Sequence, residues 1–238
     1  MDDLSCLPIE EVETALHDLE RVNRIFGNWK LLTRHLSLLT RSVSRRRELV
    51  LADLGTGGGD LSAVAARWAA DSGRTVRVLA MDRSEEILDL AARRLRNVEQ
   101  ACLLRGDATR LPFPDRSIDI LFCSQVLHHL PDTAAISVMS EMTRVCRIGW
   151  IVSDLRRGRI AHKATQMALR LVSRNRLIRY DGPLSILRSF TLKEYRQMAA
   201  AAGAGTATIR KHLFFRAAII YRHPGDELTP PEGDQDQR

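Results

Sequence analysis

Three stretches of this 238-residue chain combine carboxylates and glycines in a way that serves ligand chemistry. They are Asp53-Leu54-Gly55-Thr56-Gly57-Gly58-Gly59, Asp82, and Gly106-Asp107-Ala108. A glycine cluster after an apolar run permits a tight turn and lets a ligand lie against bare backbone. The dinucleotide fingerprint G-x-G-x-x-G would need glycine at position 60, where Asp60 stands. Asp53 and Asp60 would also repel a pyrophosphate, so the pattern suits a ligand carrying positive charge. Asp82 follows Gly59 by 23 residues and can accept hydrogen bonds from both hydroxyls of a ribose. Asp107 can accept from an adenine amino group, and the N–H of Ala108 can donate to the ring.

These residues need strands to present them. Leu49–Leu54 is a short apolar run entering the glycine turn, as expected of a parallel strand covered on both faces. Residues 76–82, 102–104, 118–123 and 150–154 read as four further strands, with helical spacing between them. Ser84 is placed to cap the helix that carries Ile87, Leu88, Ala91 and Leu95. Alternating strands and helices predict a doubly wound α/β sheet, whose ligands bind outside the carboxyl ends of the strands. Residues 8 to about 47 read as two helices bent at Gly27-Asn28, with Asn23 the polar exception on an apolar face. After the fifth strand the spacing predicts a basic helical segment (160–178), a turn at Asp181-Gly182-Pro183, a helix from Thr191 to Ala202, and strands at about 206–212 and 214–221.

The acidic-x-G-x-G-x-G turn fits S-adenosylmethionine, which carries an ammonium and a sulfonium on an adenosine. From Leu49 to Asp154 the chain resembles the class I S-adenosylmethionine-dependent methyltransferases, of the small-molecule type related to ubiquinone and menaquinone biosynthesis. Besides the three stretches above, the resemblance rests on Leu111-Pro112-Phe113, Phe122-Cys123-Ser124 and Leu127-His128-His129-Leu130. It implies a Rossmann-like, seven-stranded, mostly parallel sheet with the last strand antiparallel. It also implies that Asp53 and Gly55, with Thr56, Gly57 and Gly59 of the same turn, face the methionine moiety. Asp82, followed by Arg83, would meet the ribose, Asp107 and Ala108 the adenine, and Ser124 the methionine side. Where such proteins often have Pro-Gly-Gly before the fifth strand, this chain has Arg147-Ile148-Gly149-Trp150, a shortened turn. An Asn/Asp-Pro-Pro-aromatic motif after the fourth strand would mark transfer to nitrogen. Cys123-Ser124-Gln125-Val126 stands there instead, which favours an oxygen or carbon acceptor.

A phenol or enol acceptor must lose a proton, and histidine is the usual base near neutral pH. His128 and His129, after the fourth strand, and His162, after the fifth, are the candidates. The histidine pair can equally cap a short helix beside the cofactor. Asp154 can orient a histidine or an arginine, or cap a helix. The expected organisation is a helical cap (1–48), a domain (49–222) with a lid insertion at about 155–190, and a disordered tail (223–238). Within the lid Arg156, Arg188 and Phe190 are the expected contacts to a phenolic, quinone-like or polyketide-derived acceptor.

Hydrophobic residues make up 45 % of the chain, enough for a sizeable core, and the net charge is +7. The arginine clusters suit an anionic partner or a solvated face, and no base-reading motif points to nucleic acid. Residues 160–179 mix apolar and basic side chains, so peripheral membrane contact with a lipid-like acceptor is an alternative to a lid. A non-catalytic cofactor-binding protein is another. Cys102, Cys123 and Cys146 sit in apolar sequence and read as reduced core thiols; no spacing suggests a metal site. The acidic N-terminus lacks a signal-peptide pattern, and a cytoplasmic protein is expected.

Overall fold

The structure is a computed structural model that describes residues 8–158, 184–212 and 215–225. Two helices come first, α1 (Ile9–Ile25) and α2 (Asn28–Leu39). β1 (Leu49–Leu54), α3 (Asp60–Asp71), β2 (Val76–Asp82), α4 (Glu85–Leu95) and β3 (Ala101–Arg105) follow. Then come β4 (Ile118–Ser124), α5 (Asp132–Val145), β5 (Cys146–Leu155), α6 (Leu192–Ala201), β6 (Thr208–His212) and β7 (Arg216–Arg222). The seven strands form one sheet in the order β3-β2-β1-β4-β5-β7-β6. β1 to β5 pair in parallel, while β7 is antiparallel to both of its neighbours, so β6 runs with the rest. The chain order reverses between β1 and β4, which opens a crevice at their carboxyl ends.

Period-two burial splits the strands between two cores. Ala52, Leu54, Leu121, Cys123 and Val152 face α5 and α6, against Val138, Met142 and Tyr195. Leu49, Leu51, Ile120, Phe122 and Ile151 face α2 and α3, against Leu36, Ala65 and Trp68. Local signals set the helix ends. The Ser84 hydroxyl accepts from Ile87 N at the start of α4, and Thr191 with Glu194 forms a reciprocal capping box on α6.

The structure corrects three sequence expectations. The second helix ends at Leu39, not near residue 47, because Arg74 Nη2 donates to the carbonyls of Thr40 and Val43 and holds turns there. Residues 147–150 are not a shortened turn; α5 passes directly into β5 at Cys146, Gly149 and Trp150 pair with β4 and β7, and Arg147 and Ile148 fall at a register shift against β4. Cys102 is exposed, since β3 is an edge strand, whereas Cys123 and Cys146 are buried. The segment 160–178, the turn at 181–183 and the tail from 226 lie outside the described residues.

The pairing of β5 with β7 makes Gly149 structurally demanding. A Cβ there would sit 2.1 Å from the Tyr221 carbonyl oxygen and 3.2 Å from Arg222 Cα, both backbone. Gly149→Ala should therefore cost at least about 2 kcal/mol, as overpacking against atoms that cannot yield does. Urea unfolding measures it, and a wild-type midpoint would contradict this pairing.

Candidate active site

The turn after β1 is built on positive φ angles. Gly55, Gly57 and Gly59 have φ of +70°, +53° and +76°, a region where L side chains are strained. The N–H groups of Gly55 and Thr56 both donate to the Met81 carbonyl at 2.9 Å, which hangs the turn from the end of β2. Asp53 is buried beneath it, and its Oδ2 accepts the hydroxyls of Ser62 (2.7 Å) and Thr56 (2.8 Å). Burial pushes the Asp53 carboxyl up to about 7, and the two hydroxyl donors offset only part of that rise.

The other two aspartates stand at the same edge. Asp82 Oδ2 accepts from Gly57 N at 3.1 Å and Oδ1 from Ser84 N at 3.2 Å. Each oxygen keeps a lone pair for a further donor, such as a ribose hydroxyl. Asp107 Oδ1 accepts the Thr109 N–H and hydroxyl at 2.8 Å each, and these bonds hold its carboxyl below the usual range. Ala108 is half-buried beside it, and Arg83 is exposed at the rim. Ser124 Oγ accepts from Asn28 Nδ2 at 2.8 Å.

The wall facing these groups comes from the N-terminal helices. Asn23 of α1 is buried; its Nδ2 donates to Asp60 Oδ2 (3.2 Å), and its Oδ1 accepts from Gln125 Nε2 (2.7 Å) and Arg216 Nη2 (3.2 Å). Trp29 Nε1 of α2 also donates to Asp60 Oδ2, at 3.1 Å. Gln125 holds φ +57°, in the left-handed region that non-glycine residues adopt uncommonly. Leu16 of α1 lies over Gly57 and Gly58, within 3.7 Å of a Cβ placed on either. Asn23, Gln125 and Leu16 were not among the expected site residues. The one sequence signal for them was a lone asparagine on the apolar face of α1.

Two of the three candidate histidines are described. His128 is buried, and its Nδ1 lies 2.6 Å from Asp154 Oδ1. Asp154 Oδ2 accepts the Leu127 N–H at 2.8 Å, so the carboxylate is held from both sides. Burial alone would raise the Asp154 pKa, but neighbouring His128, the Leu155 N–H and His129 together outweigh it and hold it below the ordinary value. The His129 ring lies 4.0 Å from that of His128. His162 lies outside the described residues.

A cavity of about 1020 Å³ joins these groups. It is lined by Asp53, Gly55, Thr56, Gly57, Asp82, Arg83, Asp107, Ala108 and Ser124, and also by His128, His129 and Arg188. Pockets for small molecules run from about 300 to 1,000 Å³, so this cavity lies at the upper end of that range. Gly59 shapes the turn from behind, where a Cβ would meet Leu95. Two expected acceptor contacts do not line the cavity. Phe190 is buried in the core, edge-on to Tyr195 at 5.5 Å, and Arg156 bridges to it through the backbone. The Arg156–Phe190 bridge continues the backbone pairing beyond β5.

Residues 51–149 match the family described as "Methyltransferase domain". Over 145 residues the chain is 30 % identical to the demethylmenaquinone methyltransferase of Staphylococcus aureus (strain MRSA252), covering 56 % of this chain and 58 % of that protein. The chain thus spans a little over half the length of this relative. Its fold is that of a S-adenosylmethionine-dependent methyltransferase from Aquifex aeolicus (TM-score 0.61, 15 % identity, 88 % of this chain and 97 % of the other). Human N-acetylserotonin methyltransferase, solved with S-adenosylmethionine, shares the fold at TM-score 0.62 and 18 % identity, over 91 % of this chain and 56 % of the other. Residues 51–149 thus match a methyltransferase domain, and the described residues have the fold of solved methyltransferases, as the sequence motifs implied.

Asp53 makes a pH-dependent prediction. Its folded pKa is raised from 3.8 to about 7, so between these values the folded chain keeps a proton that the unfolded chain has lost. Its contribution to stability is therefore full below pH 3.8 and is lost as pH rises through about 7. Relative to Asp53→Asn, the wild type should lose roughly 2–4 kcal/mol between about pH 4.5 and 7.5 in urea unfolding. Parallel pH profiles would remove this account of a buried carboxylate.

Proposed function

We propose that this methyltransferase domain binds S-adenosylmethionine across the β1 turn and methylates an oxygen or carbon of a small, acidic-hydrogen acceptor, with His128 as the base. One observation carries the reading: the buried His128–Asp154 pair opens onto the same cavity as the glycine turn, Asp82 and Asp107. The residues present fit the cofactor. The positive-φ glycines leave backbone bare for the methionine moiety, and Asp53 offers a carboxylate to its ammonium. Asp82 and Asp107 supply acceptors for ribose hydroxyls and the adenine amino group. When bound, the cofactor supplies a methyl group already activated on a sulfonium.

The rest of the chemistry falls to the chain. Asp154 accepts from His128 Nδ1, which places the proton on that nitrogen and the lone pair on Nε2. Nε2 takes the acceptor's O–H or acidic C–H proton as the acceptor's electron pair forms its bond to the methyl carbon. The electron pair of the C–S bond would stay on the bound cofactor's sulfur as a neutral thioether, and Asp154 stabilises the resulting imidazolium of His128. α1 covers the turn and excludes water, and the cavity walls hold the nucleophile near the methyl, which contributes much of the rate. Similarity to a demethylmenaquinone methyltransferase supports a reduced quinone or related phenol as the acceptor class, and a polyketide-derived phenol has the same chemistry.

Asp82→Ala should weaken S-adenosylmethionine binding by about 1.5–3 kcal/mol, the range for hydrogen bonds to a charged group. Calorimetric titration measures this, and an unchanged affinity in a folded variant would sink the ribose assignment. Incubation with labelled S-adenosylmethionine and a panel of quinols and phenols identifies the acceptor. With it, His128→Gln should lower kcat by about 10²-fold or more and leave cofactor affinity unchanged. Full turnover in that variant would remove His128 from the chemistry.

A further inference from the structure

Among the described residues, five buried polar side-chain atoms lack a hydrogen-bond partner: Ser153 Oγ, Arg156 Nε, His212 Nδ1, Arg216 Nε and Arg216 Nη1. Four of the five share one face of the sheet. Ile151 and Ala218 pack on the α2–α3 side, and Ser153 and Arg216 stand two residues along the same strands, so they face that side too. His212 is the direct register partner of Arg216 across the β6–β7 pair. Arg216 is 1 % exposed, and no carboxylate among the described residues lies within the 4.0 Å of an ion pair. Among the described residues its side chain donates to Asn23 Oδ1, and Asn23 lines the cavity. His212 rests against Gly27 at the bend between α1 and α2.

The surroundings are cationic. Burial, then Arg216 and Arg34, lower the pKa of His212. Burial, Arg34, His212 and Arg210 do the same to His35. Burial lowers Arg216 to about 10, with Asp154 and Asp60 acting against it from a distance. A buried guanidinium with two idle nitrogens is costly. A bound anion would relieve that cost, accepting from the Arg216 N–H groups and the Ser153 hydroxyl.

We propose that Arg216, His212 and Ser153 form an oxyanion site behind the Asn23 wall of the cavity, and that it holds an acidic group of the methyl acceptor. The assignment rests on the methyl-transfer reading, because it takes the anion to be the acceptor's. The acceptor class then narrows to phenols or enols that carry a second, ionised oxygen group such as a carboxylate.

Benzoate is the probe, titrated calorimetrically into the protein alone and into protein saturated with S-adenosylhomocysteine. Saturable binding is expected in both. Arg216→Met should weaken it about tenfold or more, since charge-assisted bonds are lost, and His212→Asn should weaken it in the same direction. Arg46→Met, at an exposed arginine, should leave it unchanged. Should Arg216→Met not fold, His212→Asn decides. No saturable binding by the wild type, or equal binding by His212→Asn and folded Arg216→Met, overturns the site. Benzoate displaced by S-adenosylhomocysteine would assign the anion to the cofactor's own carboxylate and overturn the acceptor assignment. Failure of S-adenosylhomocysteine itself to bind would sink the methyl-transfer reading instead, and the titration of the free protein would still judge the anion site.

Discussion

Asp53 accepts two hydroxyls in a place that water does not reach, and the cofactor-side geometry is built around that carboxylate. Thr56 comes from the turn and Ser62 from the first turns of α3, so one oxygen ties strand, turn and helix together. The three glycines then take up the curvature that no side chain would accept, and Met81 and Asp82 hold the turn from β2. Opposing terms keep the arrangement near balance. Burial disfavours the charge, two hydroxyls favour it, and a cationic ligand beside it would complete its solvation.

A second buried polar layer lies above the first. Asn23, Asp60, Gln125 and Trp29 exchange hydrogen bonds between α1, α2, α3 and the end of β4. Such groups are costly to bury singly but specify one arrangement when each finds a partner. Apolar contact alone could let α1 slide over the turn; Asn23 gives it one register. Only a small cluster, Val12 and Leu16 with Ile87 and Leu90, adds an apolar hold between α1 and α4.

The strands of the central sheet were readable because a parallel sheet covered on both faces demands continuous apolar runs, and Leu49–Leu54 and Ile118–Ser124 supply them. Asp82 was readable for a related reason: it ends the β2 run where the strand stops being buried, whereas Asp53 is a carboxylate kept inside β1. The end of α2 was not. It depends on Arg74, distant in sequence, capturing the Thr40 and Val43 carbonyls. Nor was the start of β5, since Arg147-Ile148-Gly149 has turn-like composition and is extended only because β4 and β7 flank it. Phe190 looked like a stacking surface for a flat acceptor, and packing against Tyr195 made it core.

The sequence by itself determined the fold class, the glycine turn and the three acidic positions along the sheet edge, because each is a local consequence of strand period, turn stereochemistry and charge. Only the tertiary structure decided which side chains meet across long separations. His128 and Asp154 are 26 residues apart, Asn23 and Gln125 are 102, and Asn23 and Arg216 are 193. Hydrogen-bond partners at such separations leave no periodicity in the chain; they exist because the sheet order brings β4, β5 and β7 side by side beneath the first helix.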